Sequence, residues 1–133
     1  MGLFSGLFGN ASEADKERVS EALEKVLIPG ESIELSYNIL RDLVVFTSYR
    51  LILMDKQGIT GKKRDFMSVP YKSISRFSVE TVGNFDVDAE VDIYLSGNDQ
   101  PTIALQFRGG DVVYDVQRAL AAAVFLYEDR RIL

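Results

Sequence analysis

The most informative stretch of the chain is Asp42-Leu43-Val44-Val45-Phe46-Thr47-Ser48-Tyr49-Arg50-Leu51-Ile52-Leu53-Met54-Asp55-Lys56. Two runs, 42–46 and 50–56, are apolar at successive positions, and a short polar segment, Thr47-Ser48-Tyr49, joins them. The short join predicts a hairpin. On a strand, successive side chains point to opposite faces, so each run presents apolar groups on both sides. Both strands must therefore be central in a sheet or covered on each face.

Working outward, the segment 31–38 alternates Ile33, Leu35 and Tyr37 with Glu34, Ser36 and Asn38, the pattern of a half-buried strand. On the other side, Gly58 and Gly61 punctuate a loop from Gln57 to Lys63. A strand at 64–71 follows, and Pro70 pushes its end toward an edge. Further strands are predicted at 73–82, with Phe77 and Val79 inward, at 89–96, with Ala89, Val91, Ile93 and Leu95 inward, and at 102–108, with Ile103, Leu105 and Phe107 inward. Gly97-Asn98-Asp99 supplies the last turn. After Gly109-Gly110, Asp111 caps a helix running to about 127, its buried face marked by Val113, Val116, Leu120, Ala123, Val124 and Tyr127.

At the N-terminal end, Ser12 caps a helix, and Pro29-Gly30 stops it, defining a segment 12–28. Val19, Ala22, Leu23, Val26 and Leu27 share one face of it. Residues 1–11 form an apolar, Gly-rich leader with Leu3, Phe4, Leu7 and Phe8. Seven short strands with a helix to close an open end predict a mainly β barrel or sandwich over 31–133, with an added N-terminal helix.

Composition narrows the chemistry. The 133 residues are 47% hydrophobic and 26% charged, which suits one globular domain. There is no Cys and no His. That excludes thiol nucleophiles, thiolate zinc and iron–sulfur sites, Ser-His triads and imidazole metal ligands. Fifteen Lys and Arg against twenty Asp and Glu leave a net charge of −5, which argues against nucleic acid as a partner. No run approaches the ~20 apolar residues of a spanning helix. The first ten residues lack the charged n-region of a signal peptide, and Gly6 stands where a myristoylation pattern wants Ser or Thr. A cytoplasmic location is the expectation.

Several blocks of the sequence, in order, carry a family resemblance: Phe46-Thr47-Ser48-Tyr49-Arg50-Leu51-Ile52-Leu53, 55–63, Val69-Pro70-Tyr71-Lys72-Ser73-Ile74, Phe77-Ser78-Val79-Glu80-Thr81, 85–90 and the Gly-Leu-Phe leader. Together they resemble the bacterial pleckstrin-homology (PH)-like domain family. The resemblance implies a PH-like seven-stranded barrel or sandwich capped by a C-terminal helix. It also implies a homo-oligomeric ring, commonly a pentamer, and no enzymatic activity.

Three groups of residues remain as candidate surfaces. Leu3, Phe4, Leu7 and Phe8 are candidates for the oligomer interface, because they lie beyond a minimal barrel. Lys62, Lys63 and Arg64 form the one dense basic cluster, a candidate contact for an anion or lipid headgroup. The first hairpin, where phosphoinositide-binding relatives spread their basic residues, reads Ile39-Leu40-Arg41-Asp42, which weighs against a membrane role. Asp86, Asp88, Glu90 and Asp92 alternate along one strand face as an acidic patch. Their spacing mimics the opening of an EF-hand loop, but Val91 stands where that loop needs Gly, and Gly97 where it needs Glu. A solvated face fits better, and like charges there discourage edge pairing. The pairs Arg41/Asp42 and Arg50/Asp55 read as surface or turn ion pairs, and the Tyr hydroxyls at 37, 71, 94 and 114 as partners for backbone groups. No nucleophile and base converge, and no cofactor or metal is expected.

Overall fold

Strand β1 (Ile33–Asn38) leads into the hairpin of β2 (Asp42–Thr47) and β3 (Arg50–Asp55), followed by β4 (Phe66–Pro70). These four form one antiparallel sheet in sequence order. A 3₁₀ turn (Tyr71–Ser73) then redirects the chain into β5 (Ile74–Thr81), β6 (Asp88–Leu95) and β7 (Ile103–Arg108), a second antiparallel sheet. Helix α1 (Glu13–Ala22) precedes the strands and helix α2 (Val112–Arg131) ends the domain. This computed structural model describes residues 13–40, 42–55, 65–81, 88–108 and 112–131, and side chains from 16 to 126 within those ranges.

The apolar runs of β2 and β3 are covered on both faces, as their composition demands. Val44, Phe46, Leu51 and Leu53 join the core between the sheets with Val91, Ile93, Leu105 and the buried stripe of α2, Val113, Val116, Ala119, Leu120 and Ala123. Leu43, Val45, Ile52 and Met54 point the other way, into a second cluster sealed by Val19 and Leu23. The N-terminal helix thus serves its own sheet: it is the lid that a two-sided apolar strand pair requires. Each fully buried aliphatic side chain in such a cluster contributes about 1.5–3 kcal/mol.

Two sheets packed face to face make a sandwich, not a closed barrel. A hydrogen bond from Leu40 N–H to the Gln106 carbonyl, at 3.3 Å, links the end of β1 to β7. Helix α2 packs along β1, β5, β6 and the 3₁₀ turn.

Several element bounds shift from those expected. The α-helix at the N-terminal end stops at Ala22, and residues 23–26 continue as turns. Three-residue bonds such as Val26 N–H to the Leu23 carbonyl (2.9 Å) tighten the chain before Pro29. Gly30 then takes φ 86°, a value that side chains rarely adopt. The strand foreseen at 64–71 gives up Tyr71 to the 3₁₀ turn. The C-terminal helix runs on to Arg131, past the foreseen 127. Pro70 closes β4, an edge strand, where its missing N–H breaks no ladder.

Candidate functional site

The polar residues of the Thr47–Arg50 turn converge on Glu31, just before β1. The Glu31 side chain is fully enclosed. Arg50 grips it with two parallel bonds, Nε to Oε2 and Nη2 to Oε1, each 2.9 Å. Thr47 donates its hydroxyl to Oε2 at 2.6 Å, and the Ile28 N–H donates to Oε1 at 3.1 Å. Burial alone would raise the Glu31 pKa. The hydrogen bonds from Arg50, Thr47 and Ile28, with the Arg50 charge, outweigh it and hold the carboxyl below its usual range.

Arg50 also reaches the Val26 carbonyl (2.7 Å) and the Ser68 hydroxyl (2.9 Å). Thr47 Oγ1 accepts the N–H groups of Tyr49 and Arg50, at 3.1 and 2.9 Å, and the buried Tyr71 hydroxyl donates to the Thr47 carbonyl at 2.6 Å. This network clamps the turn after α1, the β2–β3 turn and β4 together. Every group is engaged in holding structure, so the signature residues here are architectural. Arg50 is therefore not the partner of Asp55: the two stand at opposite ends of β3, and Asp55 lies across from Asp42 in the β2–β3 register.

The acidic patch takes shape on the outward face of the second sheet. Asp88, Glu90 and Asp92 alternate along β6 opposite the core-facing Val91 and Ile93. Antiparallel register adds Glu80 of β5 directly across from Glu90, which no spacing in the sequence reveals. Carboxylate oxygens of Glu80, Glu90 and Asp92 lie within 4.8 Å of one another. Hydrogen bonding and charge from Asp92, with a smaller push from Glu80, raise the Glu90 pKa against the opposing bond from Gln106. Beside the patch lies a shallow groove of about 230 Å³, with Leu40, Ala89 and Phe107 forming its apolar lining and Glu80, Asp88 and Glu90 its acidic lining. Asp86 lies outside the described residues, as do Lys62, Lys63, Arg64 and the leader residues Leu3, Phe4, Leu7 and Phe8.

The tyrosines divide. Tyr71 bonds a backbone carbonyl as foreseen. Tyr94 instead lies under the Arg76 guanidinium, 4.0 Å from its ring centroid, and Tyr114 is about half exposed. Tyr37 is buried edge-on against Phe46; burial, with the Asp115 charge, pushes its phenol up to about 12. Among the described residues, none of these groups forms a nucleophile–base pair. No described helix is long and apolar enough to cross a membrane.

Comparison with known proteins places this geometry. The bacterial PH domain family matches residues 2–124. The uncharacterized protein YjqA of Bacillus subtilis is 53% identical over 92% of this chain and 98% of its own length. The crystal structure of a pleckstrin homology domain from Shewanella amazonensis is similar at a TM-score of 0.71 and 45% identity, covering 84% of this chain and 99% of that one. A pleckstrin-homology protein of the DUF1696 family from Shewanella loihica gives 0.67 and 42%, covering 88% and 99%. With a match along nearly its whole length and the same two-sheet architecture, the chain belongs to the bacterial PH domain family.

Proposed function

We propose that the protein is a non-enzymatic scaffold domain of the cytoplasm that assembles with copies of itself into a closed ring. The observation that carries this reading is how its polar residues are used. The clamp of Glu31, Thr47, Arg50 and Tyr71 consumes the signature residues in structure. What faces outward is surface: a polar sheet face on β5–β7 and an apolar stretch on α2. Surfaces of this kind recognise other macromolecules, and a head-to-tail contact repeated around an axis closes a ring. The family resemblance makes a pentamer the favoured size.

Removing residues 1–11 tests the role of the leader. Light scattering should show the full chain at several times 14.9 kDa and the truncated chain at a single-chain mass. The cut ends before α1, so the cover over Leu43, Val45, Ile52 and Met54 survives. An assembly of unchanged mass would remove the leader from the interface.

A rival reading rests on the adjacent cations Lys62, Lys63 and Arg64, as a contact for an anionic membrane surface. Each cation near such a surface contributes about 1 kcal/mol. Sedimentation with phosphatidylserine vesicles at low salt, against a K62A/K63A/R64A variant, separates the readings. Scaffold function predicts no vesicle-dependent pelleting for either protein.

A further inference from the structure

Helix α2 has a second face besides its buried stripe. Tyr114, Arg118, Ala121, Ala122, Phe125 and Leu126 recur at helical spacing along it. Phe125 is 70% exposed, and Tyr114 and Leu126 are about half exposed. Ala121 and Ala122 between them are half-buried, and Ala122 also packs against the core. The Phe125 ring stands 6.3 Å from that of Phe77 of β5, tilted by 48°. Among the described residues, the other large exposed apolar side chains, Ile28, Leu40, Tyr49 and Met67, come from four different elements or turns and share no helix face. Isolated residues of that kind are ordinary on a surface, whereas a shared helix face is not.

The chain also begins with an apolar segment. Residues 1–12 contain Leu3, Phe4, Leu7 and Phe8, with no charged residue among the twelve. They precede α1, which sits on the outward face of the first sheet through Val19 and Leu23. Helix α2 joins the cluster on that sheet's opposite face. Twelve residues extend to about 40 Å, well beyond the ~14 Å radius of gyration of a domain this size. A closing ring needs two different surfaces, one offered and one receiving, on different sides of the subunit.

We infer that the α2 face of Tyr114, Phe125 and Leu126 receives the leader of a neighbouring copy through Leu3, Phe4, Leu7 and Phe8. The inference rests on the ring reading and names its contact. The occupant's side chains are uncharged and largely apolar, which suits an acceptor whose described charges, Arg118 and Asp115, stand as a neighbouring pair 4.0 Å apart. The contact is heterologous, since donor and acceptor are different segments of the chain.

The absence of cysteine from the chain makes disulfide trapping clean. In a Leu7→Cys/Leu126→Cys variant the two introduced thiols are the only ones present. Under mild oxidation, non-reducing gels should show a ladder of covalent multimers that collapses to one band with reductant. A Leu7→Cys/Ser78→Cys control, with its second thiol on the outer face of β5, should give no ladder. A fast-migrating monomer would mean that the leader docks on its own copy, and no cross-link, or an equal ladder in the control, would mean that it docks elsewhere; each overturns the inference. Light scattering on the unsubstituted chain separates the two levels. An intact ring without the covalent ladder in the Leu7→Cys/Leu126→Cys variant sinks only this contact, and a single-chain mass sinks the ring reading with it. Because Phe125 and Leu126 are exposed, Phe125→Ser/Leu126→Ser should keep the melting temperature and lower the assembly mass; an unchanged mass counts against the contact.

Discussion

Arg50 divides its donors among the Glu31 carboxylate, the Val26 carbonyl and the Ser68 hydroxyl, so its loss strands a buried anion and loosens the turn after α1. Breaking such a pair on one side costs more than the pair contributes, because the partner stays behind uncompensated. Since the Arg50 side chain is 22% exposed, water offsets part of that cost. Arg50→Ala is expected to lower unfolding free energy by about 2–3 kcal/mol, read as a lower urea midpoint at unchanged slope. The pH dependence follows from the depressed Glu31 pKa. Its contribution is fully present above the ordinary glutamate value of 4.5 and is lost as pH falls through the lower folded value. Urea midpoints from pH 6 down to pH 2 should therefore fall less steeply for Glu31→Gln than for the unsubstituted chain. Parallel acid limbs would show that Glu31 titrates normally. This pair was hidden in the sequence, where Asp55 is the nearer acid to Arg50. The folded partner is 19 positions away, and only the meeting of the turn after α1 with the β2–β3 turn brings them together.

Among the elements, α1 is the one whose purpose only its position shows. Strands apolar on both faces demand a second cover, and the stripe Val19–Leu23 was available to provide it. Leu23 is fully buried, so Leu23→Ala removes both contact and volume and should cost about 3 kcal/mol in chemical denaturation. A change below about 0.5 kcal/mol would mean that α1 is not seated on β2 and β3. In the second sheet, strand alternation placed Asp88, Glu90 and Asp92 on one face, but Glu80 needed the register of β5 against β6. The raised Glu90 pKa means that its contribution is present at low pH and lost as pH rises, leaving repulsion at neutrality. Glu90→Gln should therefore raise the melting temperature slightly at pH 7, and the gain should shrink in 1 M salt as surface charges are screened. A lower melting temperature would mean that the carboxylate is needed for structure.

For the whole molecule, the period-two segments and the hairpin around Thr47 were enough to predict a small β barrel or sandwich and a closing helix. They left barrel and sandwich open, because that choice depends on which strands pair across the ends of the two sheets. The surfaces that would make an assembly were harder to read. Burial patterns in a sequence report what one chain hides from water, and the exposed face of α2 looks the same in a monomer and in a ring. In the ring reading, this exposed apolar face and the apolar leader make contact between copies. Native mass spectrometry of the full chain at micromolar concentration tests that claim most directly. The account predicts one dominant species at a whole-number multiple of 14.9 kDa, a pentamer by family resemblance, with no open-ended series of larger forms. A single peak at 14.9 kDa, or an unlimited ladder of sizes, would contradict it.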